Sequence, residues 1–297
     1  MVNDKRLAAR TDKVQICMFV YNLGTTLAES VQSVISACGD LNYELFIMCN
    51  GCEDASFNIA QKISKQNTAI KAINLTYGDK SETWNRFVYD YYDGSALPVF
   101  IDGDLTFANL AIYNIVEFHH EHPHYNSISG FPWGGGRHST QWQERLLRDH
   151  EFTGNLYLLN TDFLHRLIAQ KVKLPKGLIG DDSMLGFLTA TNLCDGTDKP
   201  LERRGVCQSA VFQYERLNPL SYGDMKLYFR RRVRYATRAM QQNAIVPVLK
   251  RQGLSAMPEY ANDIFRTELP GLRWKGLDTL FDYLARKKIR HELDENS

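Results

Sequence analysis

The chain has 297 residues, with 35 Lys+Arg against 34 Asp+Glu and a formal charge of +1. Hydrophobic residues make up 44% and charged residues 23%, which supplies enough apolar surface for a core and excludes a largely disordered chain. The even charge excludes general nucleic-acid binding, which needs a basic surface.

No apolar run approaches the about 18 residues needed to span a membrane. Residues 1–13 are polar and lack the apolar stretch of a signal peptide, so the cytoplasm is the expected compartment. Six cysteines in a chain of this length fit reduced, mostly buried thiols rather than a disulfide framework. Cys49-Asn50-Gly51-Cys52 is the one C-x-x-C. A zinc site would want a second pair, and Cys194 and Cys207 are spaced too widely, so small residues at a strand end are expected.

Residues 14–20 read as a buried strand. Thr26 precedes Glu29 by three residues, a capping-box pattern for a helix over 27–38, with Leu27, Val31, Val34 and Ile35 on one face. Residues 43–48 form a second apolar strand, and Asp54 is placed to cap the next helix. Residues 69–75 give a third strand, interrupted by Lys71. Ser81 opens a helix reaching 92, and residues 97–101 are a fourth strand. Strands alternating with helices predict a parallel sheet with helices on both faces. Ligands in such sheets sit beyond the carboxyl ends of the strands. That rule directs attention to Tyr21-Asn22, Asn50-Gly51 and Asp102-Gly103-Asp104.

After Asp104 the pattern changes. A helix over 108–119 leads into a loop rich in Gly, Trp and His over 127–142. Residues 156–159 look like another strand, with Thr161 as the next helix cap. Asp181-Asp182 precede an apolar helix over 184–188, and from Tyr222 the chain reads mostly helical. There are no internal repeats and no low-complexity linker. One domain over 1–215, with a helical extension over 216–297 packed on it, is the expected organisation.

In Asp102-Gly103-Asp104 two carboxylates follow an apolar strand, and the glycine between them allows close backbone approach. Such a pair can hold Mg2+ or Mn2+ through oxygen ligands and leave positions for substrate phosphates. The plainer reading is a turn after a strand, where Asp and Gly are common. Asp181-Asp182 follow about 80 residues later. The plainer reading is a helix cap, because Asp does this well, but two adjacent acids between apolar segments are costly to bury unless paired. One of them could act as a general base toward a hydroxyl.

Other features carry less. His119, His120, His122 and His124 cluster near a helix end broken by Pro123, and a solvated surface is expected there rather than a metal site. Residues 131–138 combine Trp133, a face for a sugar ring, with Gly134, Gly135 and Gly136. This is either a loop that folds over a ligand or an ordinary surface loop with a buried Trp. Met225, Phe229, Val233, Ala236 and Met240 recur at helical spacing beside Lys226, Arg230, Arg234 and Arg238, with Arg231 and Arg232 adding charge. A basic helix over 225–240 could lie on an anionic membrane. Packing of its apolar row on the rest of the chain, with the arginines solvated or touching phosphates, is the expectation. Leu277, Leu280, Phe281 and Leu284 suggest a last helix.

The motifs, taken in order, resemble family 2 glycosyltransferases with the GT-A fold. The opening strand with Val20, Tyr21 and Asn22 is similar to the family's first strand and turn. Residues 44–54 resemble its second strand and Asp/Asn-Gly-Ser-x-Asp turn. Lys80 and Trp84-Asn85-Arg86 sit where the family often has a Lys and an Ala-Arg-Asn run. Asp102-Gly103-Asp104 matches the D-x-D motif, and residues 180–185 are similar to the Gly-Glu-Asp-x-x-Leu segment. The resemblance covers roughly residues 14–190.

It implies a Rossmann-like, mostly parallel sheet and an inverting, metal-dependent transfer from a nucleotide-diphosphate sugar to a hydroxyl of a glycan, lipid-linked or other acceptor. Val20, Tyr21, Asn22, Asn50, Lys80, Asn85, Asp102, Gly103 and Asp104 would bind the donor. Asp104 would be the direct ligand of Mn2+ or Mg2+, with Asp102 nearer the ribose or the metal. Asp182 would be the base, Asp181 would orient the acceptor or support Asp182, and Trp133, Gly154 and Asn155 would line the acceptor site. Two departures leave the nucleotide base open: Cys49 stands where the family's second strand usually ends in Asp, and Leu23-Gly24 replace the acid common after Tyr-Asn. A nucleotidyltransferase would show a Gly-rich, Arg/Lys-containing loop after the first strand, which residues 21–25 lack. A glycoside hydrolase would also pair carboxylates but would need neither the metal triplet nor this sheet. A non-catalytic nucleotide- or glycan-binding module would use the acids only as caps and turns.

Overall fold

Every residue from Val14 to Val20 of β1 (Lys13–Val20) is buried. Ile16, Met18 and Val20 enter one core, while Cys17 and Phe19 enter the other. Burial on both faces is why the strand reads as an unbroken apolar run. The computed structural model describes residues 12–133, 137–214, 222–272, 274, 276 and 278–295.

The expected alternation follows: α1 (Leu27–Cys38), β2 (Asn42–Asn50), α2 (Ser56–Gln66), β3 (Ile70–Leu75), α3 (Lys80–Arg86) and β4 (Leu97–Asp102). β1 pairs in parallel with β2 and with β4, and β2 with β3. Beyond β4 come β5 (Leu105–Phe107), α4 (Ala111–Glu121), β6 (Ser127–Pro132), α5 (Arg137–Asp149), β7 (Leu156–Leu159), α6 (Thr161–Ala169), α7 (Asp181–Ala190) and β8 (Arg204–Tyr214). The eight strands run in the order β3-β2-β1-β4-β7-β6-β8-β5. The far half is mixed, with β4–β7, β6–β7 and β5–β8 antiparallel and β6–β8 parallel. Strand order reverses beside β1, where the chain goes to β2 on one side and β4 on the other. The ends of these three strands therefore open one crevice.

Several local expectations are corrected. Residues 127–142, expected as a loop, hold β6 and the start of α5, while Gly134-Gly135-Gly136 lie outside the described residues. β6 hid because it buries small polar residues: Ser127 and Ser129 are 1% and 2% exposed, and the Ser129 hydroxyl accepts from the Thr153 amide. Thr26 stands at the α1 N-cap but makes no side-chain cap bond. Asn160, not Thr161, caps α6 by accepting from the Phe163 amide. Asp79, not Ser81, opens α3, which ends in a π-helical turn over Phe87–Tyr91. His119 is buried rather than solvated, and burial lowers its pKa to about 4. Among the described residues no group of three or more His, Cys, Asp or Glu could itself hold a metal.

Two helices end the chain, α8 (Tyr222–Gln252) and α9 (Asp278–Glu295). Val233, Ala236 and Met240 of α8 pack with Phe281 and Ala285 of α9. Further along, Ile245 and Leu249 enter the core beneath the sheet. Met225 and Phe229 remain half exposed, and Leu277 lies outside the described residues. No described helix is long and apolar enough to cross a membrane.

Candidate active site

The crevice begins at the end of β4. The Asp102 amide donates to the Asn155 carbonyl at 3.0 Å, and the Gly103 amide donates to the Phe19 carbonyl at 2.8 Å. A Cβ at Gly103 would lie 2.6 Å from that carbonyl oxygen, so only glycine lets the chain turn so close to β1. Beyond it Asp104 is exposed. The Asp102 carboxylate meets the Lys80 ammonium at 2.7 Å and accepts from the Asn155 side-chain amide at 3.3 Å.

Lys80 comes from the first turn of α3, where three segments are tied through Asp79. The Asn50 side-chain oxygen accepts from the Asp79 amide at 2.8 Å. The Asp79 carboxylate accepts from Ser81 and Glu82 and, at 2.6 Å, from the Gly177 amide before α7. Lys80 thereby reaches both acid pairs, with Asp181 at 3.3 Å on its other side. Burial works against the ammonium, but Asp102 and Asp181 outweigh it and raise its pKa. Burial also pushes the Asp102 carboxyl up to about 6, against the attraction of Lys80 and with help from Asp104.

Asp181 and Asp182 lie in the first turn of α7, not ahead of it. Asp182 accepts from the Ser183 amide at 2.9 Å and pairs with Arg238 of α8 at 3.2 Å. Arg238 also donates to the Ser183 hydroxyl and lies across Gly180, where a Cβ would come within 2.7 Å of its side chain. Gly154 backs Asp182 in the same way, since a Cβ there would lie 2.7 Å from the Asp182 Cβ. Burial raises the Asp182 pKa, the charge of Asp181 adds to the rise, and Arg238 and Lys80 oppose it.

The structure thus gathers Lys80, Asp102, Asp181, Asp182, Gly154 and Asn155, with Asp104 beside them. The remaining candidates sit differently. Asn50 brackets Asp79. Val20 is fully buried. Asn22 takes a left-handed backbone and accepts from the Glu53 amide. Tyr21 is 52% exposed at the rim. Cys52 makes long thiol contacts to the Val20 carbonyl and the Asn22 amide, both 3.4 Å, so the C-x-x-C joins two strand ends. Asn85 is buried, and its side-chain amide is taken up by both polar groups of the Leu174 backbone. Trp133 follows β6 and is 60% exposed, which corrects the buried-Trp alternative. Arg238 and Asp79 were not read as site residues. Asp79 carried a usable signal, an Asp one residue before a helix, whereas nothing local marks Arg238 among the other arginines of α8.

Four carboxylates, Asp102, Asp104, Asp181 and Asp182, face two cations, Lys80 and Arg238. Asp104 has no ion pair among the described residues. This donor set fits a hard divalent cation that takes one or two carboxylates and completes its shell with phosphate oxygens and water. Asp104 and Asp102 are the residues that could hold it.

Solved structures similar to the chain share its fold. A mannosyltransferase from Pyrobaculum calidifontis, in complex with GDP-Man and Mn2+, aligns over 96% of this chain and 76% of its own, with TM-score 0.59 and 15% identity. Glucosyl-3-phosphoglycerate synthase from Mycobacterium tuberculosis, in complex with Mn2+, UDP-glucose and phosphoglyceric acid, aligns over 80% of this chain and 82% of its own, with TM-score 0.52 and 16% identity. No curated protein matches in sequence. The fold is that of the GT-A glycosyltransferases. A family model for glycosyl transferase family 2 matches residues 15–172, more than half of the chain, and the chain belongs to that family.

Proposed function

We propose that the protein transfers a sugar from a nucleotide-diphosphate donor to a hydroxyl acceptor, with inversion. Residues 1–215 form the catalytic domain, and the helical extension over 216–297 packs on it and lends Arg238. The observation that carries this reading is Lys80, which joins Asp102 at a strand end to Asp181 at a helix start. One cation thus holds the metal-type acids beside the base-type acids.

On this reading Asp104 and Asp102 would hold a divalent cation, which would supply positive charge beside the departing diphosphate. Lys80 keeps Asp102 and Asp181 in place. Tyr21 offers its exposed ring at the rim for stacking of the nucleoside. Asp182 accepts the acceptor's hydroxyl proton as that oxygen approaches the anomeric carbon. Its raised pKa brings it closer to the working pH, where a base accepts a proton most effectively. Arg238 opposes that rise.

A thermal-shift screen of nucleoside diphosphates and nucleotide sugars, with and without Mn2+ or Mg2+, tests the donor. Ligands that bind only the native state raise the melting temperature. The expected result is a metal-dependent shift with one nucleotide, lost in Asp104→Ala. No shift with any nucleotide–metal pair overturns the reading. Product anomeric configuration, read by NMR, tests inversion.

A further inference from the structure

Beside Asp182 the surface opens into a cavity of about 380 Å3. Phe152, Phe187 and Pro200 supply apolar wall, and the charged lining is Arg204 and Arg238 against Glu151, Asp182 and Asp198. Each of these acids already has a cation. Glu151 has Arg145 at 3.0 Å, Asp182 has Arg238 at 3.2 Å, and Asp198 has Lys250 at 3.2 Å.

Arg204 is the exception. Among the described residues no carboxylate lies within ion-pair distance of it. Its two terminal nitrogens donate only long bonds, 3.4 Å each, to the carbonyls of Gly186 and Asp149. Its buried Nε has no hydrogen-bond partner. Burial works against its charge and lowers its pKa, while Asp198, Glu151 and Asp149 act from beyond ion-pair distance against that fall. An under-bonded, partly buried guanidinium is costly unless an anion completes it. Its planar fork suits two oxygens of one carboxylate or phosphate.

We propose that this cavity is the acceptor subsite, and that it selects acceptors whose reactive hydroxyl neighbours an anionic group held by Arg204. The word acceptor rests on the transferase reading above, whereas the anion site does not. The cavity is of the size that holds a small ligand. Its apolar wall would cover a carbon skeleton, with Arg204 at the anionic group and Asp182 at the hydroxyl.

The test uses the full chain, saturated with Mn2+ and the nucleoside diphosphate that gives the largest thermal shift, so that the donor side is already filled. Calorimetry then titrates glycerol 2-phosphate, glucuronate and glycerol. At least one of the two anions should bind and glycerol should not, and which anion binds separates phosphate from carboxylate. Arg204→Gln should weaken the bound anion about tenfold or more with nucleotide affinity unchanged, and Arg204→Lys, which keeps charge without the fork, should fall between. Equal anion affinity in wild type and Arg204→Gln overturns the proposal. Should Arg204→Gln not fold, wild-type binding of glycerol as tight as that of the anions overturns it equally. If no nucleotide binds, the same titrations are run without one. Arg204-dependent anion binding would then keep the site while the transferase reading falls.

Discussion

The β1, β2 and β4 ends form a wall fastened mainly to main chain: Gly103 to Phe19, Asp102 to Asn155, Asn50 to Asp79, and Asp79 to Gly177. Across the crevice, Asp182 accepts from the Ser183 amide and is otherwise held by the Arg238 ion pair and by contact with Gly154. The match to the family ends at residue 172, so it takes in the β1, β2 and β4 ends and stops short of Gly177, Asp182, Arg204 and Arg238. Main-chain fastening fixes strand ends whatever the outer side chains are. A wall held by long side chains can be re-made for each acceptor. On the proposed function, donor handling belongs to the first wall and acceptor choice to the second, and the two can be broken separately.

The sharpest break is Asp182→Asn, which keeps shape and removes the proton acceptor. Turnover should fall about 10²–10⁴-fold, the usual span for a general base, while nucleotide–Mn2+ affinity stays as in wild type. If nucleotide affinity fell with turnover, the two walls would not be separable and Asp182 would belong to the donor side.

Gly154→Ala strikes the same base from behind. The added Cβ would stand 2.7 Å from the Asp182 Cβ, so the carboxylate must move. A displacement of about 1 Å can cost on the order of 10²-fold in rate, and overpacking costs about 1–3 kcal/mol of stability. Kinetics and melting curves on one preparation check both. An unchanged kcat would show that the base tolerates displacement.

Asp102→Asn tests the first wall through stability. Asp102 titrates at about 6 in the folded protein against an ordinary 3.8. Folding therefore favours its protonated form, and that contribution is complete below pH 4 and lost as pH rises through 6. The variant, always neutral, should exceed metal-free wild type by on the order of 2 kcal/mol above pH 6. The gain should vanish near pH 4, and metal-dependent nucleotide binding should disappear at every pH. Melting curves across that range decide it, and a pH-independent difference would remove the linkage to Asp102.

Much of the first wall was legible because each piece is local. β1, β2 and β4 are apolar runs, and the polar residues that end them lie at the crevice. In the far half of the sheet β7 was legible as an apolar run, but β5 and β6 were not, because β6 buries serines in place of an alternating apolar pattern, and β5 spans only three residues. Asp181 and Asp182 stood out as adjacent acids between apolar segments. Arg238 did not, since it takes part in a row of arginines whose other members give no sign of which one turns inward. Only the approach of α8 to Gly180 selects it. Asn85 misled for the converse reason: its position in a motif suggested the donor, while its amide satisfies a backbone segment 89 residues away.

Arg238 yields the smallest and most discriminating prediction. It lies 3.2 Å from Asp182 and opposes the rise in that residue's pKa caused by burial and Asp181. Arg238→Gln removes the opposing charge, so the Asp182 pKa rises further. A base must be ionised to act, so the acid limb of the kcat/KM profile should move to higher pH. Well above that limb the base is ionised in both proteins, and the loss should stay below about tenfold. Arg238→Lys should return the limb toward its wild-type position, because it restores the charge without the fork. If Arg238 only braces Gly180 and the α7 start, the loss would be the same at every pH. The displaced limb and its return with lysine are therefore what separate a cation acting on the base from one that merely fills space.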